Sequence, residues 1–215
     1  MIPVNEPLIG AKEIEYVNEC LRTGWISSAG RFIEEFEQKW AAYCGMKYGI
    51  AMSNGTTALQ AAVGCIGLGH ISVFSFYANK LITTGEGGMV LTNDPAYAEK
   101  ARSLRNLCFL PHRRFYHTEL GHNFRLTNLQ AAIGLGQLER MEEIIAKKRW
   151  RGKAYTERLQ GISDLQLPVE ESWAKQVYWM YGIILDENTG LDAIQFAQKL
   201  KEKGVETRPF FLGMH

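Results

Sequence analysis

The feature that most constrains this sequence is a lysine placed between two short apolar segments. Ile71 to Phe74 and Met89 to Thr92 have the composition of strands, and Lys80 lies in the connection between them, ahead of a Gly-Glu-Gly-Gly run. A lysine at a strand end, with apolar neighbours that favour its neutral amine, is suited to hold a carbonyl compound as a Schiff base. From spacing alone, a surface lysine in a glycine-rich turn is the more common arrangement. The pattern predicts a strand-turn-strand unit and leaves the role of Lys80 open.

A second turn has the composition of an anion-binding helix start. Tyr48 to Met52 is predicted as a strand, Ser53-Asn-Gly55 is a turn signal, and a helix is predicted from Thr56. Free amides and the helix dipole at such an N-terminus favour an anion, and glycine lets the backbone approach it closely. An ordinary N-capped turn between a strand and a helix has the same pattern, and is the more frequent case.

Composition and charge exclude several function classes. The chain is 46% hydrophobic and 22% charged with a net charge of +1, which indicates neither nucleic acid nor a membrane surface as a partner. The four cysteines show no Cys-x-x-Cys pair and the five histidines no metal-ligand spacing, so free thiols are expected and no metal site. No apolar run approaches a membrane span and the start lacks a signal-peptide pattern, so the chain is expected in the cytoplasm.

The basic and aromatic segment Leu110 to His117 has two alternatives. Its adjacent arginines, Arg113 and Arg114, could belong to a nucleic-acid patch or to a solvated loop. A neutral protein without an extended basic stripe favours the loop.

Periodicity predicts the remaining elements and two domains. Helices are predicted from 14 to 24, from 32 to 45, after Asp94-Pro95, from 128 through 145 with the basic run 147–151 at its end, and from 191 to 203. Beyond Leu159 the composition changes, and strands are predicted at 177–185 and 205–209. We therefore expect a major α/β domain at residues 1–160, built on a parallel sheet, and a partial small α+β C-terminal domain at 161–215.

Four stretches, in order, resemble one known family. Ser75-Phe-Tyr-Ala-Asn-Lys-x-Ile-Thr-Thr-Gly-Glu-Gly-Gly-Met is similar to the cofactor-lysine signature of the DegT/DnrJ/StrS sugar aminotransferases. Ser53-Asn-Gly-Thr-x-Ala-Leu resembles the family's phosphate cup, and the stretches from Gly121 and from Thr207 resemble two later motifs. The opening, with Trp25-Ile-Ser, is most similar to the family's GDP-perosamine synthase branch. Four matches in family order disfavour an unrelated α/β binding module.

The resemblance implies a fold, a cofactor and a reaction. The fold is the PLP-dependent transferase fold type I, aspartate aminotransferase-like, and the cofactor is pyridoxal 5'-phosphate. An intact relative moves an amino group from glutamate to GDP-4-keto-6-deoxymannose in O-antigen biosynthesis, as a homodimer with shared active sites. A sugar dehydratase of the same family has histidine at the lysine position, and Lys80 argues against that activity.

The resemblance also implies roles for single residues. Lys80 carries the cofactor and then acts as general base. The other residues implied to contact the cofactor are Gly55, Thr56, Thr57, Ser75, Asn123 and Arg125. The residues implied on the substrate side are Trp25, Ser27, Arg113, Arg114, Arg208 and His215. Asn123 and Arg125 belong to a motif that in relatives serves the neighbouring protomer, so a partner is expected to cover the helix from 128 to 145; alternatively, they only fix the loop before that helix.

The sequence departs from the family pattern around residue 69. In the family, further strands and helices separate the phosphate cup from the lysine strand, whereas here Gly69 is followed directly by the predicted strand. At roughly 30 residues per strand-helix-strand unit, about three units are absent. That block would supply the aromatic ring that stacks on the cofactor and the aspartate that protonates its ring nitrogen. The family also continues beyond His215. A truncated relative that dimerises or binds phosphate without catalysis is therefore the alternative function.

Overall fold

The computed structural model describes residues 1–65, 70–110, 112–117 and 119–211. The helices are α1 (Ala11–Thr23), α2 (Arg31–Tyr43), α3 (Gly55–Cys65), α4 (Pro95–Arg105), α5 (Asn128–Glu139), α6 (Met141–Leu159) and α7 (Ala193–Glu202). The strands are β1 (Tyr48–Met52), β2 (Ile71–Ser75), β3 (Gly88–Thr92), β4 (Phe109–Leu110), β5 (Arg113–His117), β6 (Leu165–Gln166) and β7 (Ile184–Leu185). They form two compact units, one of residues 7–141 and one of residues 1–6 with the chain from 142 onward.

The sheet of the first unit has the order β1-β3-β2. The middle strand β3 is antiparallel to both neighbours, with Val90 opposite Ile50 on one side and opposite Val73 on the other. The parallel sheet predicted for this region is therefore wrong for the described residues. The lysine-bearing connection is short, so β3 returns beside β2 in the opposite direction, while β1 and β2 run the same way.

Both faces of this sheet are covered by helices. On one face, Ile50, Met52 and Val90 pack with the alanines of α3 and α4. On the other face, Trp40 of α2 meets Phe74 and Phe76 edge-on, with ring centroids 5.3 and 4.9 Å apart. The aromatic stripe of α2 is thus core, as its helical spacing predicts, and the sheet is positioned between two helical layers.

An ion pair closes the outer edge of β1. Glu37 Oε1 accepts a hydrogen bond from Ala51 N at 2.7 Å, and Arg105 Nη1 donates to Ala51 O at 3.0 Å and to Glu37 Oε1 at 2.5 Å. The unpaired N–H and C=O of Ala51, which an edge strand would otherwise expose, are satisfied within the chain.

Helix α5 lies against α1 and α2 within the same chain. Its small and apolar residues, among them Ala131, Ala132 and Leu135, are fully buried in the single chain. The expectation that a partner subunit covers residues 128–145 is therefore wrong for α5, whose apolar side is already occupied. The single helix predicted from 128 through 145 is also wrong, because the chain leaves helical geometry at Arg140 (φ −110°, ψ 15°) before α6 begins. The guanidinium of Arg140 donates to the buried carboxylate of Glu13 at 3.0 Å.

The second unit is built around α6, whose middle contains the basic run predicted at a helix end. Arg149 donates to Glu170 at 2.6 Å, Thr156 Oγ1 lies 2.8 Å from the Tyr181 hydroxyl, and a Cβ at Gly152 would lie 2.5 Å from the Tyr178 ring. Because α6 packs on the segment that follows it, the division falls at residue 141, earlier than the predicted boundary at 160.

Two predicted strands of this unit do not form as such. In the segment 177–185 only Ile184–Leu185 is a strand, since Tyr178 adopts a left-handed conformation (φ 49°) that interrupts an extended chain. In the segment 205–209, Val205 makes one isolated parallel bridge with Ile2, and Pro209 lacks an N–H for a ladder. No helix in the described parts of the chain combines the length and apolar character needed to cross a bilayer.

Candidate active site

The turn before α3 is fixed by its own side chains. Asn54 Oδ1 accepts from Thr57 N at 2.9 Å, and the Thr57 hydroxyl donates to Asn54 O at 2.9 Å and lies 3.1 Å from Ser53 Oγ. The Thr57 hydroxyl is therefore used within the turn, whereas Thr56 is exposed. Gly55, the first residue of the helix, has no side chain to take part in these hydrogen bonds. A neighbouring residue can therefore pack directly against its backbone.

That neighbour is Ser75, at the end of β2. A Cβ on Gly55 would lie 2.8 Å from Ser75 Cβ and 3.0 Å from Ser75 Oγ, a separation that real side chains do not adopt. Gly88 shows the same closeness from the other side, because its Cβ would lie 2.3 Å from Asn54 O. The structure thus brings together two residues that the sequence predicts in one phosphate site, and it explains why glycine stands at position 55.

The loop that contains Lys80 is closed at its base by hydrogen bonds. Phe76 N donates to Gly87 O at 2.8 Å, and Thr84 N donates back to Phe76 O at 3.0 Å. Within the loop, Lys80 N donates to Tyr77 O at 2.9 Å, and the side chain of Lys80 is half-buried. Lys80 therefore lies in a compact loop that leaves β2 and enters β3.

Helix α5 supports this loop through residues that sequence reasoning missed. Gln130 Nε2 donates to Glu86 O at 2.9 Å, and Gln137 Oε1 accepts from Thr83 N at 3.4 Å. A Cβ at Gly134 would lie 2.8 Å from Thr84 Cγ2, so the helix and the loop are in direct contact. The capping box of Thr127 and Gln130 was the available signal in the sequence, but it predicts a helix start and not the second bond of Gln130.

The segment before α5 runs beside the end of β1. Phe124 O accepts a hydrogen bond from Ser53 N at 2.8 Å, and the backbone of Arg125 forms an isolated antiparallel β-bridge with Met52. Arg125 Nη1 also donates to Asn106 Oδ1 at 2.8 Å, and Asn123 bridges Asn106. In this chain Asn123 and Arg125 fix the loop beside the turn before α3; a role at the cofactor of a neighbouring protomer stays a prediction.

The Trp25–Ser27 segment is held by its carbonyl groups. Trp25 O accepts from Asn128 Nδ2 at 2.7 Å, and Ser27 O accepts from Asn128 N at 2.6 Å. Burial raises the pKa of the Cys20 thiol, which stays protonated and lies 3.8 Å from Asn128 O. The indole of Trp25 is 58% exposed, so the loop presents it to solvent.

The other predicted substrate residues lie elsewhere or outside the description. Arg113 belongs to the hairpin of β4 and β5, so the loop predicted for this segment is wrong. The guanidinium of Arg113 lies over the Tyr116 ring, 4.6 Å from its centroid. Arg208, in the second unit, lies over the Phe211 ring at 4.6 Å. The side chain of Arg114 and all of His215 lie outside the described residues. Within the described ranges, no three His, Cys, Asp or Glu residues group as metal ligands.

The chain matches a family model in two pieces. The model of the DegT/DnrJ/EryC1/StrS aminotransferase family covers residues 7–70 and 61–215. The GDP-perosamine synthase of Caulobacter vibrioides is 30% identical over 316 aligned residues, which cover 100% of this chain and 85% of that protein. With 215 residues here, at least 101 of the 316 aligned positions have no counterpart in this chain. The chain therefore lacks part of the family's length, as predicted, and the overlap of the two matched pieces at residues 61–70 supports a missing internal block near residue 69, whose position stays a prediction.

Solved structures with the same fold are aminotransferase relatives. DesI, crystallised with its TDP-sugar product, has a TM-score of 0.86 and 21% identity over 96% of this chain and 78% of its own. A GDP-4-keto-6-deoxymannose-3-dehydratase with a trapped PLP-glutamate adduct has a TM-score of 0.86 and 15% identity, over 97% and 86% of the two chains. The predicted fold type I is confirmed by these likenesses. By its match to the family model along both pieces, the chain belongs to the DegT/DnrJ/EryC1/StrS aminotransferase family, whose cofactor is pyridoxal 5'-phosphate.

Proposed function

We propose that this chain is an aminotransferase that moves an amino group from glutamate to the keto carbon of a nucleotide-linked 4-keto-6-deoxy sugar, in O-antigen or related lipopolysaccharide biosynthesis. The observation that carries the proposal is a close contact between two elements. Gly55, the first residue of α3, lies against Ser75, the last residue of the strand β2 that leads to Lys80. The likeness to a GDP-perosamine synthase along the whole chain supports the substrate class. The cytoplasm stays the predicted compartment.

The residues present fit the phosphate of pyridoxal 5'-phosphate. Gly55 packs so closely on Ser75 that a Cβ would not fit between them, which brings Ser75 Oγ close to the start of α3 and its first amides. Such amides and the helix dipole favour a phosphate. Ser75 Oγ, the amides of Gly55 and Thr56 and the amine of Lys80 would hold the cofactor, and Thr57 keeps the turn in shape.

The chemistry divides between the cofactor and the protein. When bound, pyridoxal phosphate supplies an electron sink at the carbon that loses a proton. Lys80 Nζ takes the proton from the α carbon of glutamate and delivers a proton to C4 of the sugar as general base and general acid. Because the loop that carries Lys80 is closed at its base and bound to α5, the backbone of this lysine is fixed, which favours a defined position for both transfers.

A homodimer with shared sites completes the proposal. The β4–β5 hairpin leaves Phe115 73% exposed, and nearby Leu120 is 80% exposed, which is typical of a surface that another chain covers. Asn123 and Arg113, both in the first unit, would then meet the cofactor or the diphosphate of the nucleotide-sugar.

The experiment mixes purified protein with pyridoxal phosphate, glutamate and GDP-4-keto-6-deoxymannose and measures the amino sugar by mass spectrometry. We expect a product that carries the nitrogen of ¹⁵N-glutamate, and none from Lys80→Ala. Absence of any cofactor binding by the wild-type protein would contradict the proposal.

A second candidate function is supported by the missing internal block. At least 101 of the aligned positions have no counterpart in this chain, and the family model matches in two pieces that overlap at residues 61–70. A protein of this kind would bind pyridoxal phosphate or dimerise without catalysis. Tight cofactor binding with no labelled product in the same experiment would favour it.

A further inference from the structure

We propose that Asn128, the first residue of α5, is a positioning residue that holds the Trp25–Ser27 loop in the geometry that binds the nucleotide-sugar. The inference rests on the proposed function, because Trp25 and Ser27 are among the residues that the family resemblance implies on the substrate side of such an aminotransferase.

One buried side chain and its own amide bind both ends of the loop. Asn128 is 2% exposed. Its Nδ2 donates to Trp25 O at 2.7 Å, and its backbone N donates to Ser27 O at 2.6 Å. Since the loop uses carbonyl groups for these bonds, its side chains remain available to a ligand.

The side-chain amide of Asn128 also fixes the point where the loop enters α2. Asn128 Oδ1 accepts from Phe32 N at 3.1 Å, which satisfies one of the free amides of the first turn of α2. Gly30 lies so close that a Cβ there would be 2.4 Å from Asn128 Cγ. The position needs a donor and an acceptor on one short side chain, and asparagine supplies both, whereas aspartate and leucine of similar shape do not.

The lysine loop is held by different residues of the same helix. Gln130 donates to Glu86 O, and Gln137 accepts from Thr83 N. These bonds hold the lysine loop and do not involve the Trp25–Ser27 loop. Loss of Asn128 should therefore disorder the substrate side and leave the glutamate side unchanged. A loop that must be ordered on binding weakens the affinity for the ligand that orders it.

The test uses Asn128→Asp, which keeps the acceptor for Phe32 N and removes the donor to Trp25 O. Asn128→Ser replaces it if the buried charge prevents folding, which circular dichroism checks. Gln130→Ala is the matched control on the same helix turn. Hydrogen exchange of residues 24–30, followed by mass spectrometry, should speed up by at least about tenfold in the Asn128 variant and by less than about twofold in the control.

Kinetics separate positioning from a general loss of structure. We expect KM for GDP-4-keto-6-deoxymannose to rise at least about tenfold, with the half-reaction with glutamate changed by less than about twofold. Unchanged exchange at 24–30, or a loosened loop with unchanged KM for the sugar, would overturn the inference.

Failure of the proposed function gives a different result. If the wild type shows no sugar-dependent turnover, the proposed function is wrong, and the affinity for GDP-mannose as a probe decides the inference. Weaker GDP-mannose binding by the Asn128 variant, by at least about tenfold, supports it. Equal affinity of both proteins, or no binding by either, overturns it.

Discussion

At the scale of single residues, the contact between Gly55 and Ser75 places a steric limit on the proposed phosphate site. Gly55 begins α3 and Ser75 ends β2, and the space between the two residues is smaller than one methyl group. The sequence predicted both as phosphate contacts through a family resemblance, and the helix start of α3 through its turn residues. It could not predict Asn128 or Gln130 in their supporting roles, because a side-chain amide that binds a loop 103 or 44 positions away leaves no local pattern.

Gly55→Ala should weaken cofactor binding. The added Cβ would lie 2.8 Å from Ser75 Cβ, so the turn and the strand end must separate. We expect the dissociation constant for pyridoxal phosphate to rise at least about tenfold, which corresponds to about 1.4 kcal/mol. Gly64→Ala makes the same change in the same helix, near only the flexible end of Leu104, and should alter the constant less than about twofold. If fluorescence titration shows that the two substitutions change the dissociation constant equally, the proposed phosphate site at Gly55 is contradicted.

Lys80→Ala should remove the visible absorbance of lysine-bound cofactor. Only a lysine amine forms that link, and Lys80 lies in the loop next to the phosphate turn. The measurement is the absorbance spectrum before and after borohydride. Lys47→Ala, an exposed lysine ahead of β1, should keep the wild-type spectrum. A reducible chromophore that survives in Lys80→Ala would identify another lysine as the carrier.

At the scale of elements, local signals predicted the helices well and the strands of the second unit poorly. Helix α4 begins as predicted, because Asp94 accepts from Ala96 N at 2.7 Å and Pro95 occupies the first helical position. Strand β1 also matches, since its apolar run is bounded by turns. The strand predicted at 177–185 is wrong over most of its length although the composition is strand-like, because Tyr178 has a positive φ and its ring packs on Gly152 of α6. Such tertiary contacts decide a short strand and are invisible to periodicity.

Glu37→Ala should destabilise the first unit strongly. The carboxylate is 13% exposed and accepts from both Ala51 N and the Arg105 guanidinium, so its loss leaves a buried amide without an acceptor and a partly buried cation without its counter-charge. We expect a loss of about 3 kcal/mol in the free energy of unfolding, measured by urea titration. Glu35→Ala on the same helix breaks an exposed pair with Arg31 and should cost less than about 0.5 kcal/mol. Similar midpoints for the two variants would mean that the β1 edge is not held by this ion pair.

At the scale of the whole molecule, the two edges of the sheet differ. The outer edge of β1 is closed by Glu37 and Arg105, whereas β2 pairs only with β3 among the described strands. Helix α3, which precedes the missing block, leaves Leu59 56% and Val63 62% exposed. The two pieces of the family model overlap at residues 61–70, which run from the last turn of α3 to the residue before β2. The exposed apolar residues and the open strand edge therefore lie on either side of the place where the missing block is predicted.

The last prediction is that the 215-residue chain is a poor transaminase. The phosphate turn, Ser75 and Lys80 are present, but the predicted aromatic ring and ring-nitrogen aspartate belong to the missing block, and without that carboxylate the cofactor is a weaker electron sink. Losing neighbours of β2 also leaves an apolar edge that favours aggregation over a defined site. We expect turnover with glutamate and GDP-4-keto-6-deoxymannose far below about one per second, the low end of ordinary enzymes. The control is a chimera in which the corresponding block of the Caulobacter vibrioides synthase joins residues 65 and 70, and its turnover should exceed that of the 215-residue chain at least about a hundredfold. A turnover of about one per second or more by the unmodified chain would show that another residue replaces the aspartate.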